Sequence, residues 1–430
     1  MARPLPSENI ERTVTPGGTV VLSERLPHVA SASLGFYFRT GSRDEDPGEE
    51  GTTHFLEHMF FKGTARRTAR GIAEELDAVG GHLDAGTSHD CTSFYARVLA
   101  EHVPLACDVV SDMLCNSLLS DEEVGRERDV VLDEIRLYED EPADIVVENL
   151  LKVAWGDHPM ARPVLGRREV IAGLDHGRLA AFRRRRYALD RLVVAAAGLV
   201  EHGEILRLLA PLLTGLPGGG VPREGPPPEH RALCRLAIRR QEQAHFALAA
   251  PALRVGDRKY YAMLVLNSLL GGSYSSRLFQ EVREKRGLAY SIGSSVDSFA
   301  DGGLLVIQTA CEPARFGETA GVIGQVLGEL ATGGVTDEEV VRNRNQLKGA
   351  TFLGMEGTSN RMLRLAMGTL YLDRVIPLAE VMEKVDAVTP AAVRELAAEM
   401  LGTDRFASSI LAPGDPAAYR VPWLKEAVAC

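Results

Sequence analysis

Two kinds of hydrophobic pattern alternate along this chain. ASASLGFYFRT (Ala30–Thr40) and RLVVAAAGLV (Arg191–Val200) are short apolar runs that predict strands in the first half, and FALAAPAL (Phe246–Leu253) and GLLVIQTA (Gly303–Ala310) do the same in the second. Between them GIAEELDAVG, LACDVVSDMLCNSLL and ETAGVIGQVLGELA place apolar residues three and four apart, the spacing of a helix with one buried face. The expected fold class is α+β, with two domains, each a mostly antiparallel sheet covered by helices.

The division falls where the apolar pattern stops. GLPGGGVPREGPPPEH, residues 215–230, clusters glycine and proline, which break helix and strand and leave no apolar face to bury. We therefore expect a first domain over residues 1–214, a linker over 215–230 and a second domain over 231–430. SDEEVGRERDVVLDEI (Ser120–Ile135) resembles TDEEVVRNRNQLKGAT (Thr336–Thr351) at an offset of 216 residues, about half the chain, which suggests an internal duplication. Both begin with a hydroxyl residue suited to an N-cap, followed by acids in the first turn.

Composition narrows the function classes. At 430 residues, 45% hydrophobic and 25% charged, the chain is large enough for more than one core. A net charge of −11 argues against nucleic acid or an anionic membrane as partner and favours basic peptides. The one basic run, FRRRRY (Phe182–Tyr187), reads as a helix end. The six cysteines form no CxxC pair, the N-terminus carries no signal-like apolar core and no run is long enough to span a bilayer, so a cytoplasmic protein is expected.

The candidate chemistry lies in GTTHFLEHMFFKGT, Gly51–Thr64. On a helix His54 and His58 are one turn apart on the same face and can reach one ion, and Glu57 shares that face. His-x-x-Glu-His thus supplies two neutral nitrogen ligands and a carboxylate beside a metal-activated water, which makes Glu57 the candidate general base. A third ligand can come from VGRERDVVLDEIRLYED, where Glu127 and Glu134 are seven residues apart and share a helix face. One of the two would bind the metal and the other orient an imidazole. His82 and His89 read as ordinary polar positions.

HFLEHMFFKGT resembles the active-site helix of the pitrilysin family of zinc metallopeptidases, the inverzincins, and ERDVVLDEI resembles the segment that carries the family's third ligand. The resemblance puts Glu134, 76 residues past His58, on the ligand position and Glu127 on the auxiliary acidic one. It extends through HPMARPVLGRREVIAGL (His158–Leu174), FRRRRYALDRLVVAAAGLV (Phe182–Val200) and LLGGSYSSRLFQEVREKRGLAYSIGS (Leu269–Ser294). In the last of these, Arg286 and Tyr290 match an Arg-x-x-x-Tyr arrangement that binds substrate in the family. GGHLDAGTSHDCTSFYARV resembles its substrate-binding edge strand, which marks Asp84, Ala85 and Thr87 as candidates. Asp84 stands there in place of the usual asparagine, and Gly86 in place of a common aromatic residue. Asn343 and Ala350 match Glu127 and Glu134 in the second half, where no His-x-x-Glu-His recurs, so only the first domain is expected to hold metal.

The resemblance implies a zinc endopeptidase with one Zn2+ per chain, cutting unfolded or presequence-like peptides inside the chamber of a homodimer. A rival expectation is a peptide-binding or scaffold subunit that cuts nothing and needs a different partner chain.

Overall fold

The computed structural model describes residues 8–223 and 225–425, which form two compact units, each built on one sheet. The first sheet contains β1 (Ile10–Val14), β2 (Val20–Arg25), β3 (Ser31–Phe38), β4 (His82–Thr87), β5 (Thr92–Leu99) and β6 (Leu192–Gly198) in the spatial order β1-β2-β6-β3-β5-β4. The second contains β7 (Cys234–Ile238), β8 (Ala244–Pro251), β9 (Ala289–Ser298), β10 (Gly303–Cys311) and β11 (Ala407–Ala412) in the order β7-β11-β8-β10-β9. Apart from β1 the two orders are the same. All pairings are antiparallel except one in each sheet, β2 with β6 and β7 with β11, which occupy equivalent places. The mostly antiparallel α+β expectation and the duplication therefore hold at the level of topology.

Five of the helices carry the sequence motifs or cover the sheets: α1 (Thr52–Phe60), α2 (Asp121–Asp140), α3 (Pro142–Trp155), α4 (Asp337–Gly354) and α5 (Thr358–Leu372). The sequence repeat coincides with the start of α2 and of α4. Ser120 Oγ accepts the Glu123 N–H, and Thr336 Oγ1 accepts the Glu339 N–H while Glu339 Oε2 accepts the Thr336 N–H, a reciprocal cap.

The compact units do not follow chain order. The first comprises residues up to Arg136, Arg162–Gly225 and Leu353–Pro377; the second comprises Leu137–Ala161, Pro226–Phe352 and the chain from Leu378 onward. Each half of the sequence thus lends one helix to the other half's sheet. The reason is that strands such as β6, buried along its whole length, need cover on both faces. In the first unit Met362, Leu365 and Ala366 of α5 pack on Val193, Ala195 and Ala197 of β6 and on Leu22 and Tyr37. In the second, Val146, Leu150 and Trp155 of α3 pack on Ala247, Ala249 and Leu411. The small alanines let the helix axis approach the sheet. The remaining face of the first sheet carries the larger core, to which α1 contributes Phe55, Leu56, Met59 and Phe60.

Gly215 closes the helix Ala210–Gly215, and from Leu216 to His230 the linker has no helix or strand among its described residues, but it is tied down. Arg223 donates from Nε and Nη2 to the two carboxylate oxygens of Asp44 at 3.0 and 2.7 Å, and from Nη1 to Asp90 at 2.9 Å. Asp44 and Asp90 are buried, and Asp90 also takes Arg43 at 2.9 Å. This node joins the loop before α1 to the β4–β5 turn. Arg223→Ala would remove a hydrogen-bonded cation from both buried carboxylates, leaving Asp90 to Arg43 and Asp44 to Arg191 at 3.6 Å, and it is expected to lower stability toward chemical denaturation by about 2 kcal/mol, the range for hydrogen bonds to charged groups. An unchanged denaturation midpoint would show that the linker contributes nothing to the first unit.

The basic run is also spent internally. Arg183 donates to the carbonyls of Leu114 and Cys115 at a helix end, and Arg185 pairs with Glu49 at 2.7 Å. Cys91, Cys107, Cys115, Cys234 and Cys311 are free thiols; Cys430 lies outside the described residues. Among the described residues no helix is long and apolar enough to cross a membrane.

Candidate metal centre and substrate edge

The start of α1 is held by a residue outside the motif. Glu45 accepts the N–H of Gly51 at 2.9 Å and of Thr53 at 2.7 Å, satisfying donors that a helix N-terminus leaves open. Burial pushes the Glu45 carboxyl up to about 8, against these two hydrogen bonds. Gly51 has φ +94°, and a Cβ there would sit 2.6 Å from the Leu165 carbonyl, so glycine is needed to enter the helix. With its apolar residues in the core, α1 turns His54, Glu57 and His58 to the other side.

Helix α2 meets that side. Val124, Val131 and Ile135 are buried, and the same stripe aims Glu127 and Glu134 at α1. Glu134 Oε2 lies 3.8 Å from His54 Nε2 and 3.6 Å from His58 Nε2. Glu127 Oε1 lies 2.8 Å from His58 Nδ1, and its Oε2 takes Lys62 Nζ at 2.6 Å. If His58 donates its Nδ1 proton to Glu127, its Nε2 lone pair is left pointing at Glu134.

Burial, and secondarily the His58 charge, lowers the His54 pKa to about 3, so this imidazole is neutral and free to ligate at pH 7. Burial also acts on His58, but its hydrogen bond to Glu127 and the charges of Glu127, Glu134 and Glu57 outweigh it and raise the pKa. Burial raises the Glu57 pKa, against the Thr87 hydroxyl, which donates to Glu57 Oε2 at 2.5 Å.

His54, His58 and Glu134 are the one set of three His, Cys, Asp or Glu residues among the described residues whose ligand atoms converge, all within 4.8 Å of one another. Ligands at zinc distances of about 2.0–2.2 Å in a tetrahedron lie about 3.4 Å apart, close to the 3.6 and 3.8 Å between Glu134 Oε2 and the two imidazole nitrogens. Glu134 Oε2 is buried and accepts no hydrogen bond. Three lone-pair atoms facing one another around a buried carboxylate oxygen are reconciled by a cation, and this donor set of two imidazoles and a carboxylate suits zinc.

Beside α1 runs β4, the edge strand of its sheet. The Ser88 N–H donates to the Cys91 carbonyl at 2.8 Å, which marks 88/91 as a bonded pair. Bonded pairs recur every second residue, so 86/93 and 84/95 are also of this type, and Leu83, Ala85 and Thr87 turn their N–H and C=O groups to the open edge. Sequence reasoning missed the Thr87 contact to Glu57, the Lys62 contact to Glu127 and the Glu45 cap. Lys62, four residues past His58, was the only one with a local signal.

Arg286 and Tyr290 belong to the second unit. The Tyr290 side chain, near the start of β9, is 83% exposed, and the Arg283 guanidinium covers its ring at 5.0 Å. Arg286 donates to the carboxylate and the carbonyl of Glu281 at 2.6 and 2.8 Å. In α4 the residue matching Glu127, Asn343, is buried and accepts a hydrogen bond from Ser268.

Two family models cover most of the chain. Insulinase (peptidase family M16) matches residues 20–168, and the peptidase M16 inactive domain matches residues 173–347. The chain belongs to peptidase family M16. An uncharacterized zinc protease of Streptomyces coelicolor is 40% identical over 412 residues, covering 94% of this M16 chain and 90% of that protein. One of Bacillus subtilis is 36% identical over 404 residues, covering 94% and 98%. The structures of a peptidase M16 inactive domain from Pseudomonas fluorescens and of a protease from Helicobacter pylori each align with a TM-score of 0.88, over 95% of this chain and 98% and 100% of theirs. At 22% and 20% identity they speak for the fold alone. The family and the names of these relatives support a protease role for this M16 chain, and zinc as its metal.

Proposed function

We propose that this chain is a zinc endopeptidase that hydrolyses extended, unfolded peptides. The observation that carries the reading is the convergence of His54, His58 and Glu134 beside a carboxylate, Glu57, that is not among the converging ligands. Zinc held by these three side chains, one ion per chain, would supply Lewis acidity and bring the acidity of water close to neutral. Glu57 takes the proton of the attacking water and returns it to the leaving amine nitrogen; its raised pKa suits an acid that must both accept and give. Thr87 keeps Glu57 in one orientation, and Glu127 does the same for His58.

Peptide pairs with the outward groups of Leu83, Ala85 and Thr87 as an added strand, a mode that accepts extended chains with little regard to side chain. The exposed Tyr290 phenol offers a donor to a substrate oxygen, and Arg286 a guanidinium to a carbonyl or carboxylate once Glu281 releases it. The site works in a homodimer that encloses unfolded or presequence-like segments, and free thiols throughout the described residues suit a cytoplasmic setting.

The test is cleavage of an internally quenched, unstructured peptide by the purified chain. Activity is expected to disappear on chelation and to return with one equivalent of zinc. A metal-loaded chain that binds the peptide and leaves it intact would favour a binding subunit instead.

A further inference from the structure

Asp84 has no part in the converging ligand set, yet it sits in the middle of the proposed peptide edge. We propose that Asp84 selects substrates with a lysine or arginine at the residue directly across from it on the added strand. The inference rests on the reading of β4 as the peptide-binding edge.

Successive side chains on a strand point to opposite faces, so Asp84 shares a face with Gly86 and lies opposite Thr87, which touches Glu57. Its carboxylate is already oriented. Oδ2 accepts the Tyr95 hydroxyl at 2.7 Å, and Oδ1 accepts the Ala85 N–H at 2.8 Å. That N–H is one of the outward groups an added strand would take, so a bound peptide carbonyl would replace Oδ1 there and free it. No Lys or Arg among the described residues pairs with Asp84; its nearest basic neighbour is His82, at 4.0 Å.

The strand geometry then decides which substrate residue is read. The bonds of Asp84 point toward β5, so across the open edge it faces its antiparallel partner as a non-hydrogen-bonded pair, the type in which side chains lie closest. Room for a long side chain is present beside it. A Cβ on Gly86 would meet nothing nearer than Ser93 Oγ at 3.9 Å. A cross-strand pair of opposite charge at an exposed site is worth about a two- to fivefold preference over a neutral partner. Against a like charge, which is repelled, the ratio widens to about tenfold.

The experiment walks Lys, Gln or Glu through each position of a neutral quenched peptide and compares kcat/KM for wild type, Asp84→Asn and Asp84→Lys. At one position the wild type is expected to prefer Lys over Glu about tenfold, less so at high salt. Asp84→Asn flattens that ratio and Asp84→Lys reverses it, a gain that a damaged fold cannot produce. A ratio unchanged in Asp84→Asn overturns the inference. In parallel, fluorescence anisotropy measures the same peptides on Glu57→Gln, with and without Asp84→Asn. A charge preference in binding that Asp84→Asn removes upholds the subsite even where no peptide is cut, in which case only the peptidase reading fails. Peptides that are neither bound nor cut overturn both.

Discussion

Glu57→Gln is expected to retain one zinc per chain and to lose turnover by a factor of about 10²–10⁴, the usual contribution of a positioned general base. Glutamine keeps the size of the side chain and an oxygen that can still accept the Thr87 hydroxyl, which approaches Oε2 at 2.5 Å. The variant therefore alters proton transfer with little change to packing. Because Glu57 is not one of the three converging residues, metal content separates its role from theirs. Zinc content by elemental analysis and kcat with the quenched peptide are the two measurements. Retained turnover would remove Glu57 from the chemistry, and lost zinc would make it a ligand.

Glu134→Gln is expected to act the other way round, with zinc lost first and activity as a consequence. Its Oε2 is the oxygen that faces both imidazoles, and an amide brings neither the charge nor a second equivalent oxygen. The fall in zinc affinity should exceed that of Glu127→Ala, for which loss of the hydrogen-bond partner of His58 Nδ1 is worth about 10–100-fold. An equal or larger effect at Glu127 would exchange the roles of the two glutamates.

The same centre makes the pH dependence of stability differ between the loaded and metal-free chains. A His58 pKa raised in the folded state means that, without metal, the folded chain binds this proton more tightly than the unfolded chain does. That contribution to stability is fully present below the unfolded value near 6.5 and is lost as pH rises through the higher folded value. With zinc bound the imidazole must be neutral, so acidification releases the metal and the stability it confers. Thermal midpoints of the two forms, followed from pH 8 to pH 5, are expected to converge. His54, held down to about 3, stays neutral in the folded chain while its unfolded counterpart takes a proton below about 6.5, so acidification over this range costs stability at His54 and opposes the His58 contribution in the metal-free chain.

Much of this protein was legible along the chain because the signals were local. The spacing of apolar residues marked β3, β6, β8 and β10, and the cap residues Ser120 and Thr336 marked the start of α2 and α4. Four-residue spacing alone brings His54 and His58 to one helix face, since a helical turn needs no tertiary contact to align them. The glycine and proline cluster at 215–230 likewise carries its own reason for lacking regular structure beyond Gly215.

What spacing could not decide was which surfaces meet. Glu127 and Glu134 are equivalent as residues seven apart on one face; the resemblance told them apart, and in three dimensions the difference is that Lys62 and His58 Nδ1 claim Glu127 while the Nε2 atoms face Glu134. The exchange of α3 and α5 was hidden because an amphipathic helix shows that it has an apolar face and not which sheet will cover it. Thr87 on Glu57, Glu45 on the start of α1 and Arg223 on Asp44 and Asp90 link residues 30, 8 and more than 100 positions apart. Such contacts depend on where the sheet carries each strand end and loop. The sequence by itself determined the parts of the centre that one helix can align, and the tertiary structure decided the partners that hold those parts in place, because only the folded chain brings distant hydrogen-bonding groups within reach of one another.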